Sequence, residues 1–139
     1  MTVDLEHALL NTTLMSSIPT HQRLKDLKEV FGCSEDIVSR LAIALSMKEG
    51  PMPLEWGPQP LESGLTVLNG KSIRGKTLFK SELPLFLVML AVTEPDCPPE
   101  RVREMLQLHW ERGVELISDG LGDGDWLEYL AATVQPTAD

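Results

Sequence analysis

The residues of this sequence best suited to chemistry are basic side chains that alternate with hydroxyls and glycines. The segment from Lys71 to Lys80 contains four basic residues and no acidic residue, and Ser72 and Thr77 lie among them. Amines, hydroxyls and backbone amides are groups that proteins use to contact phosphates. The candidate phosphate-binding residues, including three from a helix predicted earlier in the chain, are Arg23, Lys25, Lys28, Lys71, Arg74, Lys76 and Lys80. A solvated charged surface explains the same residues, and composition alone favours that interpretation.

No sequence pattern predicts a catalytic, metal or cofactor site. His7, His21 and His109 have no carboxylate or cysteine four residues away, as metal ligands on a helix would. Glycine-rich nucleotide loops and the G-x-S-x-G nucleophile motif are absent. We therefore expect no metal, no cofactor and no independent enzyme activity. Cys33 and Cys97 are expected to be free thiols, although Cys33 precedes a predicted helix start, where a thiolate would be stabilised.

The overall charge is acidic and unevenly distributed. The net charge of −9 argues against a general binder of nucleic acid or anionic membranes. The stretch from Glu115 to Asp139 holds six acidic residues and no Lys or Arg, so the total hides the local basic segment. The N-terminus does not resemble a signal peptide, and the longest apolar run, Leu83–Val92, is about half a membrane span. We expect a cytoplasmic protein without membrane contact.

The first half of the chain predicts two helices joined by a tight turn. Leu24, Leu27 and Phe31 form one apolar stripe on a helix over 21–31, which Thr20 would cap and Gly32 would end. Ser34 then caps a central helix, which is apolar on nearly every side over 37–47. Residues 1–16 predict a short helix or an extended arm, and residues 15–17 a loop.

The second half predicts a loop, a hairpin and two more long helices. Four prolines make residues 51–64 a loop packed by Trp56, and Asn69-Gly70 is typical of a two-residue hairpin turn. A third helix over 82–93, capped by Ser81, is again very apolar, and a fourth runs from Pro98 to about Ser118. Gly113 inside that helix indicates close helix–helix contact.

These elements predict a mainly α fold, a compact bundle of four to five helices with a short extended or hairpin segment between the second and third long helices. One domain over residues 1–118 and an acidic C-terminal extension over 119–139 are expected. The extension either adds a short helix near 126–134 or is mobile. Two very apolar helices in so small a chain also predict a homo-oligomer.

Three stretches of the sequence follow, in order, the pattern of one protein family. The first is QRLKDLKEVFGCSEDIVSRLAIALSM, with Lys28 and Arg40 at family positions. The second, GLTVLNGKSIRGKTLF, resembles the extended segment of the family. The third is LQLHWERGVELI, in which His109, Arg112 and Gly113 match the family's His-x-x-Arg-Gly helix. Together the three stretches resemble the DndE family of small subunits in bacterial DNA phosphorothioation (DNA sulfur modification) systems.

The resemblance implies a mainly helical fold that forms a compact homotetramer and has no catalytic activity of its own. It implies binding of nicked double-stranded DNA through surface lysines, of which Lys28 matches the lysine of the first helix. Arg40, His109, Arg112 and Gly113 are expected to serve the structure or an interface. The implied partners are a cysteine desulfurase, a sulfurtransferase-like iron–sulfur protein and an ATPase.

Two other functions remain open. The first is a pure assembly module, whose apolar helix surface binds partner proteins and which does not bind DNA directly. The salt dependence of binding distinguishes it from a DNA-binding subunit, because phosphate contacts weaken steeply as the salt concentration rises and apolar contacts do not. The second is a helix-turn-helix transcription factor. It fits less well, because the helix over 34–47 contains one basic residue and is too apolar to lie in a DNA groove.

Overall fold

The computed structural model describes residues 2–58 and 68–121, and over these ranges the chain is mainly helical, which confirms the predicted fold class. The helices and strands are α1 (Thr2–Leu10), β1 (Thr13–Ser17), α2 (Ile18–Phe31), α3 (Glu35–Glu49), β2 (Leu68–Arg74), α4 (Gly75–Phe79), α5 (Leu83–Thr93) and α6 (Val102–Leu121). Short 3-10 turns at Lys80–Glu82 and Pro99–Arg101 precede α5 and α6. Of the described helices, none combines the length and the apolar character needed to cross a bilayer.

Local sequence signals set the ends of α2 and α3. Gly32 closes α2 with φ 69°, and its amide donates to the carbonyl of Lys28. Ser34 caps α3, accepting from the amide of Ile37 at 3.3 Å, as predicted. The start of α2 differs from the prediction, because Ser17, and not Thr20, is the N-cap. Ser17 accepts from the Thr20 amide, so the helix begins three residues earlier than its apolar stripe indicates.

The centre of the molecule is the contact between α3 and α6, and it depends on a glycine. A Cβ built on Gly113 would lie 1.8 Å from the carbonyl oxygen of Ala42, far inside van der Waals contact. Around this point the two helices bury Ile43, Trp110 and Val114 completely. Glycine costs about 1 kcal/mol relative to alanine inside a helix. Here only glycine lets the two backbones approach so closely.

The two strands pair with each other, and this pairing corrects the predicted hairpin. β1 and β2 are antiparallel, with Leu14 opposite Ile73 and Ser17 opposite Leu68. A turn at Asn69-Gly70 is therefore wrong, because both residues lie within β2. The glycine serves the pairing instead, since a Cβ on Gly70 would lie 2.3 Å from the Ser17 carbonyl oxygen. Residues 15–17, predicted as a loop, belong to the partner strand.

The outer edge of β1 is covered by side chains of α6. Residues at successive turns of that helix supply an acceptor or a donor to three backbone groups of this edge, in place of a third strand. The contacts are Arg103 donating to the carbonyl of Thr13 at 2.7 Å, and the amides of Met15 and Ser17 donating to Gln107 at 2.9 Å and Glu111 at 2.6 Å. A short two-stranded sheet is thereby held against the helical core.

The elements after β2 differ in detail from the prediction. Residues 75–79, predicted to be extended, form the short helix α4. Ser81 does not cap α5, whose first turn contains Pro84 and whose N-cap, Glu82, makes no side-chain cap bond. The helix α6 continues to Leu121, beyond the predicted Ser118. The helix predicted over 126–134, the acidic extension beyond 121, and the predicted loop after residue 58 lie outside the described residues.

Candidate functional site

The predicted phosphate-binding residues occupy α2, β2, α4 and the 3-10 turn after α4, which begins with Lys80. Those on the helices α2 and α4 are mostly exposed, and those on β2 make contacts within the protein. The exposed residues are Lys25, Lys28, Arg74, Lys76 and Lys80, and the half-buried ones are Arg23 and Lys71. Arg74 also donates to the backbone carbonyl of Asn11 at 3.2 Å. The exposed amines can reach a ligand from solvent.

Two of these lysines lie near His21, where α2, α3 and β2 come together: Lys25 one helical turn later on α2, and Lys71 on β2. The Glu35 carboxylate lies 3.3 Å from the Lys71 Nζ and 3.8 Å from the His21 Nε2. Burial lowers the pKa of His21, the positive charge of Lys25 lowers it further, Glu35 raises it and Lys71 lowers it. We call these four residues, His21, Lys25, Glu35 and Lys71, the His21 cluster. Sequence analysis missed His21 and Glu35 because residues so far apart give no spacing signal.

A second positive position lies at the opposite end of the sheet. Arg103 donates to the Thr13 carbonyl through both Nε and Nη2, at 2.9 and 2.7 Å. Arg74 pairs with Thr13 across the strands, so two guanidinium groups approach the same end of β1. Sequence analysis missed Arg103. The only available signal was that Arg103, Gln107 and Glu111 follow each other at four-residue spacing on α6.

Arg40 connects α3 to the segment that follows β2. It donates through Nη1 to the carbonyl of Leu78 at 2.5 Å and lies 3.9 Å from the Glu82 carboxylate. Its side chain is only 17% exposed. These contacts hold the short helix α4 against α3.

Arg112, which lies on the neighbouring helix α6, caps the C-terminal end of α3. Its guanidinium donates to the Ser46 hydroxyl at 2.8 Å, to the Ser46 carbonyl, and to the Gly50 carbonyl at 2.6 Å. Cations stabilise helix C-termini because the last carbonyls have no partner within the helix and carry partial negative charge. Burial lowers the pKa of Arg112, while Glu49 and Glu94 oppose that effect.

His109 lies next to Arg112 and bridges two parts of the core. It is completely buried, with Nδ1 2.8 Å from the Ser46 Oγ and Nε2 2.8 Å from the Glu94 Oε2. The same glutamate oxygen accepts from the Met52 amide at 2.7 Å. The network therefore holds the end of α3, the following loop and the end of α5 in one arrangement.

The hydrogen bonds assign a protonation state to His109. The Glu94 carboxylate can only accept, so Nε2 carries a proton, and in a neutral ring Nδ1 then accepts from the Ser46 hydroxyl, which itself accepts from Arg112. Burial lowers the pKa of His109, the Glu94 hydrogen bond opposes this, and the positive charge of Arg112 lowers it again. The ring is neutral at pH 7.

The hydrogen bonds from Ser46 to His109 to Glu94 have the order found in nucleophilic catalytic sites. They differ from such a site because no substrate can reach the Ser46 hydroxyl. Ser46 is fully buried, and a nucleophile must be reachable by its substrate. Two cavities of about 210 and 330 Å³ border Glu94, yet neither is lined by Ser46 or His109. The geometry supports a structural network.

Metal and thiol chemistry have little support in the described part of the chain. Over residues 2–58 and 68–121, no three side chains of His, Cys, Asp or Glu gather as metal ligands. Cys33 and Cys97 are free and half-buried. Burial raises the pKa of the Cys97 thiol and Glu94 adds to this, so that thiol is protonated at pH 7.

Fold and charge define a small, mainly helical protein with a sealed polar network in its core and basic side chains on its surface. A family model described as DNA sulphur modification protein DndE matches residues 14–122. The chain belongs to the DndE family, which confirms the resemblance found in the sequence. No curated protein sequence matches the chain.

A solved structure shares the fold. The crystal structure of DndE from Escherichia coli B7A, described as involved in DNA phosphorothioation modification, superposes with a TM-score of 0.55. The alignment covers 76% of this chain and 96% of that chain, at 24% sequence identity. At this identity the likeness concerns the fold.

Proposed function

We propose that this protein is a non-catalytic subunit of the bacterial DNA phosphorothioation machinery, and that it holds nicked duplex DNA through backbone phosphates. The observation that carries the proposal is that Lys71 and His21 both approach Glu35, at 3.3 and 3.8 Å, while Lys25 lies one helical turn after His21, in a DndE-family chain. Lys28 and Lys76 add exposed amines on α2 and α4, and Lys80 adds one in the turn after α4. Such groups position a duplex without reading its sequence.

The acidic net charge is compatible with this role. Exposed charges separated by more than about 8–10 Å are largely screened at physiological salt. A phosphate therefore responds mainly to the nearest side chains, and not to the total of −9. Local lysines bind DNA by releasing its counterions, so the affinity should fall steeply with salt.

A homotetramer is part of the proposal, and α5 offers a surface for it. Leu85, Val88 and Val92 are 57%, 62% and 77% exposed and follow one another along the helix. No residue of α5 is charged. Exposed apolar patches commonly mark protein interfaces. Association through this face would also place several copies of the basic residues on one particle, which would strengthen phosphate binding.

The other proposed partners are the cysteine desulfurase, the sulfurtransferase-like iron–sulfur protein and the ATPase of the same system, all in the cytoplasm. Residues 1–118 would form the family domain and 119–139 an acidic extension. In the alternative function the protein only assembles these partners. The apolar face of α5 is the observation that favours this alternative, because it suits proteins and not phosphates.

The test is binding to nicked and intact duplexes at low and moderate salt, with the molar mass measured by light scattering on the same samples. We expect a tetramer that binds with a log–log salt slope of about −2 or steeper, because several phosphates are contacted. The Lys76→Gln/Lys80→Gln variant should bind about tenfold more weakly at low salt.

The matched control is Lys48→Gln/Arg101→Gln, which removes two positive charges from other exposed positions. It should change the affinity much less than the Lys76/Lys80 variant. Equal losses in both variants would indicate a general charge effect and contradict a defined binding face. A tetramer that binds neither duplex at low salt would favour the assembly module.

A further inference from the structure

The His21 cluster has the composition of an anion site. It joins two ammonium groups and an imidazole from α2 and β2 with the first turn of α3. The N-terminus of a helix adds partial positive charge, which favours a bound oxyanion. In this structure the position is occupied by the Glu35 carboxylate, whose side chain is 17% exposed.

Glu35 occupies that position without good hydrogen bonds. Its Oε1 atom is buried and has no hydrogen-bond partner among the described residues, although Lys71 and His21 lie 3.3 and 3.8 Å away. A buried carboxylate oxygen that lacks a hydrogen bond is poorly stabilised relative to water. The cations around it are therefore available to an anion with better geometry.

We propose that Glu35 is an internal substitute for phosphate, which a DNA phosphate displaces while His21 takes up a proton. The inference rests on the proposed DNA binding. It adds that Glu35 competes with the DNA phosphate for the cations, and that the contact of the phosphate with His21 depends on a proton. In the free protein Glu35 partly neutralises Lys71. In the complex the phosphodiester takes its place between Lys71, Lys25 and a protonated His21, and no covalent bond changes.

The linkage follows from the charges that face His21. Lys25 on its own helix and Lys71 on β2 disfavour an imidazolium, while Glu35 on α3 favours it. A phosphate placed against the ring adds one negative charge next to it and raises its pKa. A group that binds a proton together with the ligand makes the affinity rise as the pH falls.

The experiment measures the affinity for an intact duplex from pH 6 to pH 8.5 at constant low ionic strength. Its phosphodiesters do not titrate in this range, so a change must come from the protein. We expect about three- to sixfold tighter binding at pH 6 than at pH 8, because a histidine pKa that rises by about one unit gives at most tenfold, and this limit is reached only well below both pKa values. His21→Gln should bind equally at both pH values.

His7→Gln is the control for this first arm, because His7 is an exposed histidine on α1 that bonds only Asn11 among the described contacts. It should keep the full pH dependence. A pH dependence that persists in His21→Gln, or that disappears in His7→Gln, would overturn the assignment of the proton to His21.

The second part of the experiment tests whether Glu35 competes with the DNA phosphate for the cluster. Glu35→Gln keeps the size of the side chain and removes its charge, so DNA should bind several-fold more tightly throughout the pH range. Asp96→Asn is the control, since it removes one exposed acidic charge near the opposite end of α3, about 22 Å away along the helix. Equal gains in both variants would mean a general charge effect and would overturn the competition.

The two proposals fail differently. Salt-sensitive binding by the wild type that is independent of pH would remove the role of His21 and leave DNA binding intact. An absence of duplex binding at low salt at every pH would remove both proposals. Melting curves of His21→Gln and Glu35→Gln should match the wild type closely, because both side chains are partly exposed.

Discussion

Two regions of this molecule pair a histidine with a glutamate beside a cation, and they differ in how well the partners are satisfied. In the core, His109 lies 2.8 Å from Glu94 and is completely buried. At the surface, His21 lies 3.8 Å from Glu35, and its side chain is 29% exposed. The same residue types therefore form a closed hydrogen-bond network in one place and a loose ion cluster in the other.

The difference shows what burial requires of polar groups. A buried donor or acceptor without a partner costs about 1–3 kcal/mol, so the core network gives Arg112, Ser46 and His109 a partner for each described polar atom. At the His21 cluster the side chains of His21 and Lys71 are 29% and 21% exposed, so an anion can approach them from solvent. Ligand exchange is possible at the His21 cluster for that reason, and at His109 it is not.

The largest expected effect is on the contact that positions the core network. Gly113→Ala should destabilise the protein by more than about 4 kcal/mol or prevent folding, because the new methyl group overlaps the backbone of Ala42. Urea unfolding followed by circular dichroism measures the change. Gly57→Ala is the control, since its Cβ would meet nothing within 4 Å. A stable Gly113→Ala variant would contradict the close approach of α3 and α6.

The next largest effect is the loss of stability when one cation of each region is replaced. Arg112→Met should cost about 3 kcal/mol, because the last carbonyls of α3 lose their donor inside the core. Lys71→Met should cost less than about 1 kcal/mol, as expected for a partly exposed ion pair. Both values come from urea unfolding at pH 7. Similar losses would mean that the two regions do not differ as their burial indicates.

A smaller effect is the pH dependence of stability. The folded protein lowers the pKa of His109, so the unfolded chain binds more protons and the free energy of unfolding should fall as the pH drops below about 6.5. The slope for one such histidine is at most about 1.4 kcal/mol per pH unit. Unfolding curves between pH 5.5 and 8 measure it.

Variants of the two histidines show how much each one contributes to this pH dependence of stability. His109→Gln should remove more of the slope than His21→Gln, although both folded pKa values are lowered, because His109 is the more buried ring. The opposite ranking would contradict the comparison of the two regions.

The smallest effect is expected at Glu35. Glu35→Gln should change the free energy of unfolding by about 0.5 kcal/mol or less, because the lost ion pairs are partly exposed and their geometry is poor. Thermal unfolding at pH 7 provides the measurement, with Asp96→Asn alongside. A loss of more than about 2 kcal/mol would show that the cluster is structural, like the core network.

The sequence predicted those features that depend on neighbouring residues. Gly32 ends α2 and Ser34 caps α3 because a left-handed glycine and a serine hydroxyl act on backbone groups only a few residues away. The apolar run of α3 predicted a buried helix, and most of its side chains face the core. The order of three motifs was enough to identify the family. All of these signals are local or follow the order of the chain.

Only the tertiary structure decided which distant residues meet. β2 pairs with β1 more than 50 residues earlier, and the hairpin signal at Asn69-Gly70 gave the wrong partner. His21 and Lys71 both approach Glu35, and Ser46 contacts His109, for reasons that no spacing in the sequence reveals. Helical periodicity shows which face of a helix is buried, but not what it is buried against. The partner depends on how several helices pack together, and that packing also determines which polar groups remain exposed enough to bind a ligand.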